Sequence, residues 1–248
     1  MPKEGKLFSV DDVKVEFRDI LNQSNSNLSF LSLTFCIVKP TGVSSYVSYK
    51  DEEALLSCLE GEGIVEIGNN SYTLKRYDIL YIPRDTKFIL KNEKDVDFKL
   101  YIARAPSDLD VPAVYKSFEE VIKDPSRHRP LKRKNVYLML GEEEKASLLT
   151  GGYTFFETYS RSWPIHKHED QEEVYIFLKG HGAMEVFDLE EEKTFVKSVG
   201  PGDIVTIPIG NYHPAFSHEE PLEFLWIIAG ARYWVGDKDR SFMEGAKR

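Results

Sequence analysis

The sequence predicts a mostly β protein built as two similar barrels, and three observations lead there. Short stretches rich in Val, Ile, Phe, Tyr and Thr recur between Gly, Pro, Asn and Asp punctuation, and few segments carry a long 3.6-residue period. The stretch Tyr77-Asp78-Ile79-Leu80-Tyr81-Ile82-Pro83 returns about half a chain later as Gly202-Asp203-Ile204-Val205-Thr206-Ile207-Pro208, an internal repeat. Between the copies lie Pro106, Pro112, Pro125 and Pro130 among several charges, a composition that suits a linker.

In chain order, Leu31, Leu33, Phe35 and Ile37 alternate with Ser32, Thr34 and Cys36, the period of a strand with one face buried. A hairpin follows, with a first strand over Gly63 to Ile67, a turn at Gly68-Asn69-Asn70-Ser71 whose residues tolerate positive φ, and a second strand from Tyr72. Apolar segments ending in glycine, Leu55 to Gly61 and Val174 to Gly180, precede the two copies of the repeat. The clearest helix begins after Ser117, where Ser117-Phe118-Glu119-Glu120 has capping-box spacing, and ends near Asp124-Pro125. The expected units are 1–105, a linker with a short helix over 106–130, and 131–248.

Composition excludes several partners. At 42% hydrophobic residues the chain can bury a sizeable core, and its net charge of -9 disfavours nucleic acid and anionic membranes. The acidic runs Glu142-Glu143-Glu144 and Glu190-Glu191-Glu192 read as solvated faces. No apolar run approaches the length of a membrane span, and no apolar signal region follows Met1-Pro2-Lys3, so a soluble cytoplasmic protein is expected. The two cysteines, Cys36 and Cys58, lie in apolar runs without a pairing framework and read as core residues.

Chemistry concentrates in the second half. His166 and His168, two apart, share a face of an extended strand while Lys167 points away. The polar step Glu169-Asp170-Gln171 turns the chain so that Glu173 opens the adjoining strand, and Pro208-Ile209-Gly210 returns His213 towards the same place. Three imidazoles and one carboxylate suit Zn, Mn, Fe, Co or Ni better than Ca or Mg. Glu169, Asp170 and Glu172 read as solvated turn carboxylates, with Glu172 the rival to Glu173 if the turn is one residue shorter. His128, His181 and His218 read as surface residues. Aligning Gly61 with Gly180 and Pro83 with Pro208 puts Val47, Tyr49, Ala54 and Phe88 where the second half has its four candidate ligands, so the first barrel is expected to bind no metal and to act as scaffold or oligomer contact.

The spacing His166-Lys167-His168, Glu173, Gly180, followed by Gly202, Pro208, Gly210 and His213, resembles the two cupin motifs. Ser160 and Ser217 depart from the usual Gly and Asn at the motif edges. With Ser162-Trp163-Pro164-Ile165, Glu172-Glu173-Val174-Tyr175, Tyr212-His213-Pro214 and Ala229-Gly230-Ala231-Arg232, the chain resembles the two-cupin sugar isomerases, namely the 5-deoxy-glucuronate isomerases of inositol catabolism and, more distantly, the 5-keto-4-deoxyuronate isomerases of pectin breakdown. The resemblance implies an all-β bicupin, two jelly-roll-like β-barrels with a short helical connector. It further implies one divalent transition metal on His166, His168, Glu173 and His213, a homo-oligomer, and aldose-ketose isomerisation of a small deoxy-uronate sugar acid.

Such a reaction moves a proton beside a carbonyl, and a metal chelated by substrate oxygens stabilises the enediol. Tyr175, expected on the same side as Glu173, reads either as a substrate hydrogen-bonding or proton-transfer group or as core. Glu157, on the strand before the motif, is a second candidate base. The substrate carboxylate requires local cations, for which Arg161 and Arg232 stand either as binders or as ordinary surface charges, and Tyr212 is placed at the mouth. Two rival functions remain at this level: a metal-dependent dioxygenase and a non-enzymatic sugar-acid binding protein.

Overall fold

The computed structural model describes residues 13–162, 165–189 and 193–231. The first half contributes β1 (Val15–Leu21), β2 (Ser32–Val38), β3 (Glu52–Glu60), β4 (Glu62–Ile67), β5 (Asn70–Lys75), β6 (Ile79–Ile82), β7 (Phe88–Lys91), β8 (Phe98–Pro106) and β9 (Val114–Lys116). After the one-turn helix α1 (Phe118–Val121) come β10 (His128–Leu131), β11 (Lys134–Leu140), β12 (Leu149–Phe156), β13 (Gln171–Lys179), β14 (Gly182–Asp188), β15 (Lys193–Val199), β16 (Ile204–Ile207), β17 (Ala215–Ser217) and β18 (Leu222–Gly230).

The two halves repeat one plan. A six-stranded sheet in the order β1-β2-β8-β3-β6-β9 faces a three-stranded sheet β5-β4-β7, and a second six-stranded sheet β10-β11-β12-β18-β13-β16 faces β15-β14-β17. The repeat seen in the sequence lands on matching strands, since β6 pairs with β3 as β16 pairs with β13. Even the turn that opens each copy matches in backbone, with Tyr77 at φ 72° where Gly202 has 92°.

Packing explains why the strand pattern is not a simple alternation. The interior of the first barrel is filled by Cys36, Val38, Leu56, Cys58, Phe88 and their neighbours, and that of the second by Phe156, Phe177, Phe224, Trp226 and theirs. The outer faces of the two large sheets pack on each other through a shared core that includes Leu33, Leu55, Tyr81, Tyr153, Val174 and Ile227. A strand such as β2 is therefore buried on both faces, Leu33 towards the other barrel and Cys36 and Val38 inwards, whereas the sequence suggested one. Tyr77, Phe118, Tyr153 and Phe155 form an aromatic cluster across this junction, and the Tyr77 hydroxyl donates to Glu223 at 2.7 Å. Both cysteines are free and buried, and burial pushes each thiol up to about 12.

Several local expectations need correction. The hairpin turn has two residues rather than four: Ile67 pairs with Asn70, and Gly68 takes φ 57°. The helix is a single turn, and its Ser117 makes no side-chain cap; instead Asp78 Oδ1, from the β5–β6 turn, accepts the Phe118 N–H at 2.8 Å. The stretch 106–130 is tied down at both ends, by β9 in the first large sheet and by β10 in the second. Glu144 does not face solvent with Glu142 and Glu143 but turns in to Lys116, at 3.0 Å, and Arg127. The run Glu190 to Glu192 lies outside the described residues. Among the described residues no helix is long and apolar enough to cross a membrane.

Candidate metal centre

Glu173 is placed by β13, where it pairs with Ile207 on one side and Ile228 on the other. Strand alternation then turns Glu173, Tyr175 and Phe177 into the second barrel, and Glu172, Val174 and Ile176 out towards the first. His166 and His168 stand not in a strand but in the extended connection before β13, which is pinned where the Gly210 N–H donates to the His168 carbonyl at 2.7 Å. His213 lies just before β17. Its Nδ1 is 2.9 Å from the Asn211 carbonyl, which holds the proton on Nδ1 and leaves the Nε2 lone pair aimed inwards.

The three imidazoles converge. One ring nitrogen from each of His166, His168 and His213 lies within 4.8 Å of the others. Glu173 Oε2 sits 3.3 Å from His168 Nε2 and 3.1 Å from His213 Nε2, and all three residues are almost fully buried. These three atoms have no hydrogen-bond partner of good geometry. Buried polar atoms left in that condition are costly, and a shared cation would satisfy all of them at once. The charge states agree: burial and then the neighbouring His213 and His168 push His166 well below its usual value, with smaller contributions from Lys134 and Arg129, so the ring is neutral and able to ligate. Burial works to raise the Glu173 carboxyl, but the imidazoles of His168 and His213 outweigh it and keep the acid below its usual range.

A pocket opens beside this cluster, lined among others by Arg129, Lys134, Phe156, Tyr175, Phe224 and Trp226. Tyr175 stacks on Phe224 at 4.4 Å and meets His213 edge-on at 5.8 Å. Burial, then the Glu173 charge, raises its phenol well above the usual value, so the hydroxyl keeps its proton.

Three sequence-derived assignments are not brought to this pocket. Glu157 is exposed at the end of β12 and pairs outwards with Arg133 Nε at 3.4 Å. Arg161 is exposed, its backbone bridged to Phe216. Tyr212 stacks on Phe187 at 5.2 Å, with Lys167 Nζ 5.7 Å from its ring centre, and does not line the pocket. Arg232 lies outside the described residues. Glu172 is neither a solvated carboxylate nor a rival ligand: it is 1% exposed and accepts three backbone N–H groups of the first barrel. His128, expected at the surface, is half-buried and stacks on Tyr137 at 4.6 Å.

Arg129 and Lys134 line the pocket although the sequence pattern places the first in the linker expected over 106–130. The available signal was the alternation Lys134, Val136, Leu138 of a strand whose hairpin partner begins before residue 131.

Three histidines and a carboxylate gathered at one end of a small jelly-roll barrel make a candidate metal centre, with a second barrel of the same plan alongside. The KduI/IolB family matches residues 16–243, and the chain belongs to that family. Among curated proteins it is similar to 4-deoxy-L-threo-5-hexosulose-uronate ketol-isomerase 2 of Enterococcus faecalis, 24% identical with 87% of this chain and 80% of that one covered. The ketol-isomerase of the same name from Oceanobacillus iheyensis is 23% identical, with 96% and 94% covered. In fold it is similar to an IolB-like protein of Salmonella typhimurium, with TM-score 0.76, 21% identity, and 88% and 90% of the two chains covered. Bacillus subtilis oxalate decarboxylase superposes with TM-score 0.72 at 13% identity, covering 94% and 80%.

Proposed function

We propose that this protein is a metal-dependent ketol-isomerase of a deoxy-uronate, the substrate being the 4-deoxy-L-threo-5-hexosulose-uronate named for its curated relatives or the related 5-deoxy-glucuronate. The observation that carries the reading is the convergence of His166, His168, His213 and Glu173 at a pocket, in a chain of the KduI/IolB family.

A divalent transition ion held by these four residues would polarise a substrate carbonyl and its neighbouring hydroxyl, which lowers the cost of moving the proton between adjacent carbons. Zn, Mn, Fe, Co and Ni all suit the donor set. The remaining work falls to the chain. Asn211 fixes the His213 tautomer. Tyr175, which retains its proton, donates from its hydroxyl to a substrate oxygen beside the reacting carbons. The aromatic wall of Phe156, Phe224 and Trp226 excludes water from the reactive enediol.

The test is an anaerobic NMR assay of both uronates with protein of known metal content. Interconversion of aldose and ketose without oxygen supports the proposal. Strict oxygen dependence would instead assign a dioxygenase, and binding without turnover a sugar-acid binding protein. His166→Ala and His213→Ala should each lose metal and activity together; full metal occupancy in either variant overturns the ligand assignment.

A further inference from the structure

The chain as a whole is acidic, with a net charge of -9, yet the pocket beside the histidines is not. Among the described residues its lining holds two cations, Arg129 and Lys134, against the one carboxylate of Glu173, and a divalent ion would add two further positive charges. Both cations project from the inward face of the β10–β11 hairpin, where Arg129 pairs with Val136 and Leu131 with Lys134. Arg129 is 5% exposed. No carboxylate of the described residues lies within ion-pair distance of Lys134 Nζ, which instead sits 5.7 Å from the centre of the Phe156 ring. The ammonium keeps a cation–π contact with Phe156, but it is desolvated and faces a second cation, and burial followed by Arg129 lowers the Lys134 amine to about 8. An anion entering the pocket relieves both penalties.

An aromatic floor connects these cations to the metal ligands. From Lys134 it runs through Phe156, Phe224 and Tyr175 to His213, with successive ring centres 5.5, 4.4 and 5.8 Å apart. The pocket is thus positive at one end, apolar along the middle and metal-binding at the other. A deoxy sugar acid has the same order of parts: a carboxylate, a methylene without hydroxyl, and a carbonyl beside a hydroxyl.

Resting on the uronate reading above, we propose that Lys134 and Arg129 form the seat for the substrate carboxylate and so fix which end of the molecule reaches the metal ligands. The seat acts in binding and direction, not in proton transfer. It explains how a strongly acidic protein holds an anionic substrate: the favourable field is local and confined to the pocket.

The experiment compares wild type, Lys134→Gln and Lys134→Arg on the uronate and on the matched neutral sugar, in which the carboxylate is replaced by a hydroxymethyl group. Lys134→Gln should lose about 10- to 100-fold in kcat/KM on the uronate, mainly through KM, and far less on the neutral sugar, while Lys134→Arg keeps most of the activity. Metal content and melting temperature, measured in parallel, identify any variant that fails to fold, and Arg129→Lys then provides the second probe of the seat. Equal losses on the two substrates, or no loss on either, overturn the proposal. If wild type isomerises no uronate, the functional reading falls by itself, and calorimetric binding of galacturonate to metal-loaded wild type and Lys134→Gln still decides the seat: weaker binding by the variant supports it, and equal binding rejects it.

Discussion

Glu53 and Glu172 form a reciprocal pair of clasps between the barrels. Glu53, on β3 of the first barrel, accepts the N–H groups of Ser147, Leu148 and Leu149 at 2.6, 2.7 and 2.7 Å, together with the Tyr81 hydroxyl at 2.8 Å. Glu172, on β13 of the second, accepts those of Ser29, Phe30 and Leu31 at 2.6, 2.7 and 2.6 Å. The two residues stand at the same spacing as Gly61 and Gly180, so the clasp belongs to the internal repeat. Each carboxylate is buried, 0% and 1% exposed, and each satisfies three N–H groups that enter a strand of the opposite barrel.

Glu172→Gln should therefore destabilise the protein by about 2–4 kcal/mol, because an amide offers one oxygen where a carboxylate offered two charged ones. Equilibrium urea unfolding is the measurement, with a lowered midpoint expected. Glu53→Gln should behave alike, and unchanged midpoints in both variants would contradict the clasp.

A stability cost is expected at the pocket cation. The Lys134 amine falls from 10.5 to about 8 on folding, through burial and Arg129. Between those two values the unfolded chain binds the proton more tightly than the folded one, so this residue makes stability rise as pH climbs from about 8 to 10.5. Below pH 8 the folded protein carries the whole cost. Among the described residues, the groups facing the amine include Arg129 from β10, Phe156 from β12 and His166 from the β12–β13 connection. In metal-stripped protein, Lys134→Met should melt higher than wild type at pH 7, with the difference narrowing above pH 8 and closing near 10.5. A variant less stable than wild type at pH 7 would show that the charge is well solvated or paired.

The first barrel offers a control. Val47, Tyr49, Ala54 and Phe88 stand where the second barrel has its histidines and Glu173, and Phe88 is fully buried, bridged to Val47 and 6.2 Å from Tyr49 between ring centres. Phe88→Ala should cost about 3–5 kcal/mol through lost burial and a residual cavity. In the fraction that stays folded, bound metal measured by mass spectrometry should be unchanged.

The gathering of His166, His168, Glu173 and His213 is legible because it depends on local geometry: extended chain keeps residues two apart on one side, and a turn with glycine and proline makes the return. Glu172 is not, since its three partners lie more than a hundred residues away and nothing local separates a solvated turn carboxylate from a buried clasp. Asp78 capping α1 is the same kind of event, a tertiary hydrogen bond taking a role that Ser117 and Glu120 could have filled. The pocket cations are hidden by a boundary: with residues up to 130 assigned to a linker, Arg129 has no strand, and the hairpin face that it shares with Lys134 does not show in the sequence. Burial of β2 on both faces likewise depended on the second barrel, which one strand's pattern cannot reveal.

Gly152 tests how tightly the pocket wall is built. It lies on β12 opposite Trp226 of β18, on the same face as Thr154 and Phe156, which line the pocket. A Cβ placed there would come within 2.0 Å of the Tyr137 carbonyl oxygen and 2.4 Å of the Trp226 ring, and the first of these is backbone that cannot rotate away. Glycine is thus required by the close approach of β11 and of the indole. Gly152→Ala should cost at least about 1–3 kcal/mol from overpacking and push Trp226, itself part of the lining, into the space a substrate needs. The expected outcome is a lower melting temperature together with a raised KM, while the metal content of folded protein holds, because no ligand sits on β12. A variant that melts and binds as wild type does would mean the indole does not lie against this strand.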